Sequence, residues 1–472
     1  RTRTRTRTRT RTRTRTQVRS VVAHDAFTRR LLEIAETIKA EGAAQPLQLG
    51  IYRSDYMVHQ PSEEATPRLL QVELNTISVS FVALGAKLTG LHRHLLPRCG
   101  AQGTAGAALR GQPALAAALT DAERLPPNRS CAEIASAIAK AHAAYVAARA
   151  GKANWICSSP GGPVPGVPVV LMIVQPNERN VIDQRGLEHQ LWAAHGVPLR
   201  RATLEEVQRQ GKLDGDTKAL RLGADEVSVA YFRAGYTPND YPTETEWAAR
   251  LLIERSFAIK CPSIGQHLAG TKKVQQVLAA PAMLARFVNP EQAAVLSSCF
   301  AGLHGLDEAG GAEVERAVSA ALDSPEAYVL KPQREGGGNN FYGQELRESL
   351  ATMPPKELAG YILMQRIFPR KYPAILVRGG RYAAGNTISE LGMFGVILAD
   401  NPDIPLGGGM HGGLNRRELN HCLFLGGDSF RKGVEIATPS GTIDVSPTIL
   451  KTLGLPQHPL MAGRPIEGGL AI

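Results

Sequence analysis

At 472 residues, 43% hydrophobic and 21% charged with 6 Cys, the chain is too apolar for a disordered protein and too poor in cysteine for a disulfide scaffold. It contains no run near the roughly 18 unbroken apolar residues that a membrane span needs. Residues 1–16 are an Arg-Thr repeat; without its eight arginines, 54 Lys and Arg fall to 46 against 43 Asp and Glu, so the body is not the basic surface that a nucleic-acid partner asks for.

In chain order, the repeat has no apolar face to bury and predicts a disordered arm over 1–22. A basic arm and a translated nucleotide repeat both fit it. Phe27, Leu31, Leu32, Ile34 and Ile38 predict a helix from Ala26 to Glu41 with Asp25 as N-cap. Leu47–Tyr52 and Arg68–Leu74 read as strands joined by a polar loop. Residues 100–128, rich in Ala and Gly, read as an irregular insertion with a short helix. Past the Pro/Gly cluster Ser158–Pro168, the apolar run Val169–Val174 predicts a buried strand, with a helix at about 181–194 and a strand near Val197–Arg200 after it. That βαβ order places a ligand crevice at the carboxyl ends of the strands, where Gln175–Gln184 lie. A strand at Val227–Phe232 and helices at about 244–258, 272–286 and 312–322 follow. Tyr328–Pro332, Tyr361–Ile367 and Phe394–Leu398 are expected to form a second set of strands. The cysteines show no Cys-x-x-Cys spacing, which suits reduced thiols in the cytoplasm.

The segment Lys331-Pro332-Gln333-Arg334-Glu335-Gly336-Gly337-Gly338-Asn339-Asn340 is the richest in chemistry. Three glycines let backbone N–H groups approach an anion, Lys331 and Arg334 suit polyphosphate charge, and Glu335 makes sense beside a Mg²⁺. A flexible surface hairpin fits the same composition. Glu73 and Asn75 share one face of a strand end by period two, as hard oxygen donors or as a plain turn. Arg53 ends the partner strand and would point to the same rim, shaped for a bidentate grip on a carboxylate. Arg233 and Tyr236 end another strand; Gly270-Thr271-Lys272-Lys273 opens a helix that could meet a phosphate; and Glu390 sits among apolar residues, where a carboxylate needs a partner.

RSDYM (53–57), NTIS (75–78), NERN-x-x-DQR (177–185), AGTKKVQQ (269–276), KPQREGGGNN (331–340) and SELG-x-FGV (389–396), in this order from about Ala23 to Leu398, resemble eukaryotic glutathione synthetase. The resemblance implies an α/β (α+β) ATP-grasp fold with an inserted βαβ substrate domain, and a cytoplasmic homodimer that joins γ-glutamylcysteine to glycine with ATP and Mg²⁺. It implies core at 23–150 and 266–400, a substrate domain at 168–265 and an unrelated tail at 401–472. Carried onto matching positions, Glu73, Asn75 and Glu335 are the metal ligands, and Lys331, Glu335 and Arg53 the catalytic residues. Glu73, Lys272, Lys331, Pro332, Gln333, Arg334, Glu335, Gly336, Gly337, Gly338, Asn339, Asn340, Tyr342, Met364, Gln365, Arg366, Ile367 and Glu390 fall to ATP. Arg53, Ile77, Ser78, Val79, Ser80, Glu178, Arg179, Asn180, Gln184, Arg233 and Tyr236 fall to the peptide. Gln365-Arg366 replaces the family's usual Glu-Lys.

Two departures stand out. The Arg-Thr tract stands where the family has a helical segment, and nothing after Asp400 matches the family's Arg–Lys pair and closing Gly/Ala loop. Instead His411–Leu414, Arg431–Gly433 and Thr442–Leu450 resemble the C-terminal piece of alkaline-phosphatase-like phosphodiesterases, without that family's nucleophile or other metal ligands upstream. A catalytically impaired chain with a foreign tail is therefore the alternative to a working ligase.

Overall fold

The computed structural model describes residues 25–99, 128–150, 167–306, 311–332 and 340–400. The Arg-Thr arm, the insertion over 100–127 and the tail from 401 with His411 lie outside the described residues. Helix α1 (Ala26–Glu41) starts where Asp25 accepts the Thr28 N–H at 3.0 Å, and its Leu31, Ile34, Ala35 and Ile38 turn inward. The elements that follow are β1 (Leu47–His59), β2 (Arg68–Asn75), α2 (Val82–Cys99), α3 (Ser130–Ala150), β3 (Val169–Ile173), α4 (Val181–His195), β4 (Leu199–Ala202), α5 (Leu204–Gln210), β5 (Gly211–Leu213), β6 (Leu220–Leu222), β7 (Asp225–Phe232), α6 (Glu244–Arg255), β8 (Ile259–Cys261), α7 (Ile264–Ala269) and α8 (Lys272–Ala279).

β3, β4, β7 and β8 run parallel and share a nine-stranded sheet with β1, β2 and the last strand. Every residue of β3 is buried because helices cover both faces, as a parallel sheet requires. Ile134 and Ile138 of α3 and Leu187 and Leu191 of α4 pack on one face; Val207 of α5 and Ala249 and Ile253 of α6 pack on the other.

The second half comprises α9 (Pro281–Leu284), α10 (Pro290–Ser298), β9 (Leu303–Gly305), α11 (Gly311–Asp323), β10 (Tyr328–Pro332), β11 (Phe341–Tyr342), α12 (Gly343–Thr352), α13 (Pro355–Leu358), β12 (Tyr361–Gln365) and a hairpin of β13 (Lys371–Arg378) with β14 (Arg381–Ile388). Strands β11-β10-β12-β9 make an antiparallel four-stranded sheet. Leu330 and Leu363 face α11 and α12, whereas Val329 and Met364 face Leu70 of β2 and Ala301. By the period of two, Lys331 leaves the sheet on the Val329 side, toward β2.

Three expectations need correction. The helix expected over 272–286 breaks after Ala279, because Pro281 cannot continue it. β12 ends at Gln365, not Ile367. The strand expected at Phe394–Leu398 extends as β15 (Leu391–Asp400), and it joins the large sheet instead of the small one, antiparallel to β1 from Leu47↔Asp400 to Tyr56↔Leu391. Its Phe394, Val396 and Leu398 alternate onto the large core, which satisfies both the open edge of β1 and its own apolar face. Among the described residues no helix is long and apolar enough to cross a membrane.

Candidate functional site

The rim of the β1–β2 pair carries the first half of the site. Arg53 lies opposite Asn75 in the ladder. Its Nε and Nη2 donate to the two oxygens of Asp55 at 2.7 and 2.8 Å, and Asp55 is 1% exposed. Asn75 Nδ2 donates to Asp55 Oδ2 at 2.8 Å and to Glu73 Oε1 at 3.3 Å. Lys272 Nζ, in the first turn of α8, stands 3.8 Å from Glu73 Oε2.

Glu73, Lys272 and Lys331 line one cleft, whose apolar wall includes Phe300, Leu303 and Met364. Two sheets therefore meet around charge of both signs. Burial pushes the Lys331 ammonium below the ordinary lysine range, with Glu73 pulling it back and Lys272 lowering it further. Burial raises the Glu390 carboxyl, between β14 and β15, and the carboxylates of Asp55 and Glu73 raise it further. Arg53 and Lys331 oppose that rise, which ties Glu390 electrostatically to the same cluster.

Two contacts fasten α8 to β2. Gln275 Nε2 donates to Leu74 O at 3.1 Å and to Gly270 O at 2.7 Å, while its Oε1 accepts the Leu74 N–H at 3.1 Å. A Cβ on Gly270 would overlap Thr76 Oγ1, so only glycine lets the turn before α8 lie against the end of β2.

Along the other wall, Met364 is buried and Ile367 packs beside it. The Gln365 N–H donates to Gly302 O and the Arg366 N–H to Ala327 O, both at 2.8 Å. Arg366 also pairs with Glu326 at 2.8 Å and lies over the half-exposed Tyr342 ring at 5.7 Å. Asn340 Nδ2 donates to the Tyr342 hydroxyl at 3.3 Å. Lys331 and Pro332 end β10. Gln333, Arg334, Glu335, Gly336, Gly337, Gly338 and Asn339 lie outside the described residues.

The NTIS segment leads into a strained turn: Ser78 and Phe81 have φ of 54° and 68°, a left-handed conformation that costs non-glycine residues energy. Ile77 and Val79 are buried, and Ser80 Oγ accepts from Arg233 Nη2 at 3.0 Å. Arg233 Nη1 donates in turn to Asp183 at 3.1 Å. Asp183 accepts the N–H groups of Phe81, Ala83 and Leu84 at 3.0, 2.8 and 2.9 Å, so it caps α2 while neutralising Arg233. Beside it, Glu178 accepts from the Asn180 N–H at 2.7 Å and from Gln184 Nε2 at 3.2 Å. Gln184 is fully buried and its Oε1 meets no donor among the described residues. Arg179 is exposed, and the Tyr236 N–H is held by Asp240 at 3.0 Å. Asp55, Asp183, Thr76 and Gln275 hold these segments in place, and no local pattern marks them apart from the residues beside them.

Glu73 and Asn75 offer a carboxylate and an amide oxygen, hard donors suited to Mg²⁺. Among the described residues no cluster of three or more His, Cys, Asp or Glu could hold a metal by itself. The donor set fits an ion completed by other oxygens, such as those of phosphates.

An antiparallel sheet whose strands β10 and β12 bring Lys331 and Met364 against a rim of charged residues on the larger sheet defines an ATP-grasp protein. The family model for the eukaryotic glutathione synthase ATP-binding domain matches residues 14–411. The chain belongs to that family. It is 42% identical over 384 residues to the chloroplastic glutathione synthetase of Arabidopsis thaliana, covering 80% of this chain and 63% of that one. It is 41% identical over 383 residues to the glutathione synthetase of Homo sapiens, covering 80% and 72%. The chain thus spans under two thirds of the Arabidopsis relative. A solved structure of a glutathione synthetase-like effector from Globodera pallida shares the fold at TM-score 0.58 and 20% identity, over 81% of this chain and 76% of that one.

Proposed function

We propose that the chain is a glutathione synthetase, joining γ-glutamylcysteine to glycine at the expense of ATP. The observation that supports this reading is that Glu73, Lys272 and Lys331 line one cleft, with Asn75 bonded to Glu73 and with Arg53 and Glu390 in the same electrostatic cluster. The γ-phosphoryl group passes to the cysteinyl carboxylate and ADP leaves. The glycine amine then attacks the acyl carbon, phosphate departs with its bridging oxygen, and the amine loses a proton to solvent. Such a reaction asks for positioned charge more than for a protein nucleophile.

In this reading Lys272 and Lys331 neutralise the phosphates, Met364–Ile367 flank adenine with Tyr342 at the rim, and Glu390 receives the ribose. Arg53, Ser80, Gln184 and Arg233 grip the peptide with Ile77–Val79, Glu178–Asn180 and Tyr236, and Arg53 orients the carboxylate that reacts. Mg²⁺, held by Glu73, Asn75 and Glu335, would supply charge neutralisation at the phosphate oxygens. The Gly-rich segment 333–340 would shield the acyl phosphate from water. We also propose, on the resemblance, a cytoplasmic homodimer with ATP-grasp core at 23–150 and 266–400 and a substrate unit at 168–265.

The competing reading is a chain that binds nucleotide without turnover and carries a phosphodiesterase-like tail from 401. What favours it is the sequence after Asp400, where the family's Arg–Lys pair finds no match. ADP release that needs both γ-glutamylcysteine and glycine supports the ligase; nucleotide binding without substrate-dependent release supports the competitor. Glu335→Ala should abolish that release while leaving the circular dichroism spectrum unchanged, and unaltered turnover removes Glu335 from the metal site.

A further inference from the structure

Resting on that reading, we propose that Asp55 is a shared positioning residue, one buried carboxylate that sets the peptide-side arginine and the cation-side asparagine in a single geometry. Asp55 has no place among the family roles carried over above. Its Oδ1 accepts Arg53 Nε, and its Oδ2 accepts both Arg53 Nη2 and Asn75 Nδ2, at 2.7, 2.8 and 2.8 Å. At 1% exposure the carboxylate has no water to share its charge, so these donors are what satisfies it.

The side-on grip consumes one flank of the guanidinium. It leaves the end-on edge, whose Nη1 already reaches Ser80 O at 3.4 Å, to hold a second carboxylate bidentately. For Asn75 the consequence is orientation. Its nitrogen is spent on Asp55 and Glu73, so its oxygen is the atom left for a cation. Without Asp55 the amide can turn over and present N–H groups to the ion, and the guanidinium loses the anchor that aims its free edge.

The test is a set of double-mutant cycles in the full chain, which separate action through a neighbour from a general loss of charge or packing. Calorimetry measures the Mg²⁺ concentration that half-saturates binding of a non-hydrolysable ATP analogue, and ADP release gives KM for γ-glutamylcysteine apart from kcat. Asp55→Asn should raise both quantities about tenfold or more, equivalent to the loss of one charge-assisted bond each. Asn75→Ala should raise only the Mg²⁺ requirement and Arg53→Ala only KM. Adding Asp55→Asn to Asn75→Ala should then leave the Mg²⁺ requirement where Asn75→Ala set it, and adding it to Arg53→Ala should leave KM likewise. Additive effects, or a shift in one quantity alone, overturn the inference while the ligase reading stands. An unaltered chain that binds no nucleotide in a Mg²⁺-dependent way overturns both. Asp55→Ala, run in parallel, gives the same comparison if the amide variant fails to fold.

Discussion

Arg233 meets Asp183 at 3.1 Å with both side chains withdrawn from water, at 2% and 0% exposure. The pair joins β7 to α4, and through the N–H groups of Phe81, Ala83 and Leu84 it fixes the strained turn before α2. Removing Asp183 strands a buried cation and uncaps a helix at once. Asp183→Ala should cost about 3–5 kcal/mol, read as a lower urea midpoint. Asp183→Asn, which keeps an acceptor for the helix, should cost less.

A methyl group on Gly270 has nowhere to go, because Thr76 Oγ1 occupies its place. Gly270→Ala should lower the melting temperature and weaken nucleotide binding, since the shift falls on the turn that positions Lys272. Thr76→Ala in the same chain should restore part of both; its remaining Cβ would lie 3.1 Å away, still tight. Equal losses in single and double variants would show that the strain lies elsewhere.

Stability should fall on the acid side of neutrality. Burial lowers His142 to about 4, and its Nδ1 lies 2.8 Å from Ser228 Oγ, whose own O–H donates to Val169 O. The native state therefore keeps the ring neutral, while the unfolded chain takes up a proton below about 6.5. Since the unfolded state binds more protons there, stability is full above about 6.5, declines as pH falls toward 4, and levels off below, for a loss on the order of 3 kcal/mol. Buried His267, also lowered by desolvation and by Arg250, adds to the same slope. His142→Gln should flatten the pH dependence of the urea midpoint, and an unchanged slope would remove His142 from the account.

Lys331 should shed its charge at lower pH than an exposed lysine, because burial disfavours the ammonium. Affinity for an ATP analogue should accordingly weaken as pH rises, sooner than an ordinary lysine dictates. Lys331→Arg stays protonated throughout and should move that decline to higher pH.

Wherever one local pattern decided the outcome, the sequence was readable. Asp25 and the 3.6-residue spacing specify α1, and the unbroken apolar run specifies β3. Period two on the strand that ends with Glu73 and Asn75 placed them beside Arg53 without any structure, as the ladder has them. Less was visible where the signal lies in distant pairing. α3 has Ala on nearly every side, so its periodicity is weak, and the β13–β14 hairpin leaves Tyr372, Leu376 and Ile388 exposed, so it lacks the alternation that marks a covered strand. β15 was expected in the wrong sheet because its partner lies more than 300 positions upstream. For the same reason Asp55 and Asp183 passed as ordinary letters inside RSDYM and DQR: their importance lies in what they touch.

The ladder between β1 and β15 also governs when the protein can be finished. A ribosome releases Leu47–Tyr56 long before it makes Leu391–Asp400, so the nascent chain carries an unzipped border until its partner strand emerges. Closing so long a loop is slow, and a bare strand invites other chains meanwhile. A product that stops short of position 391 would leave that border of β1 without its partner strand.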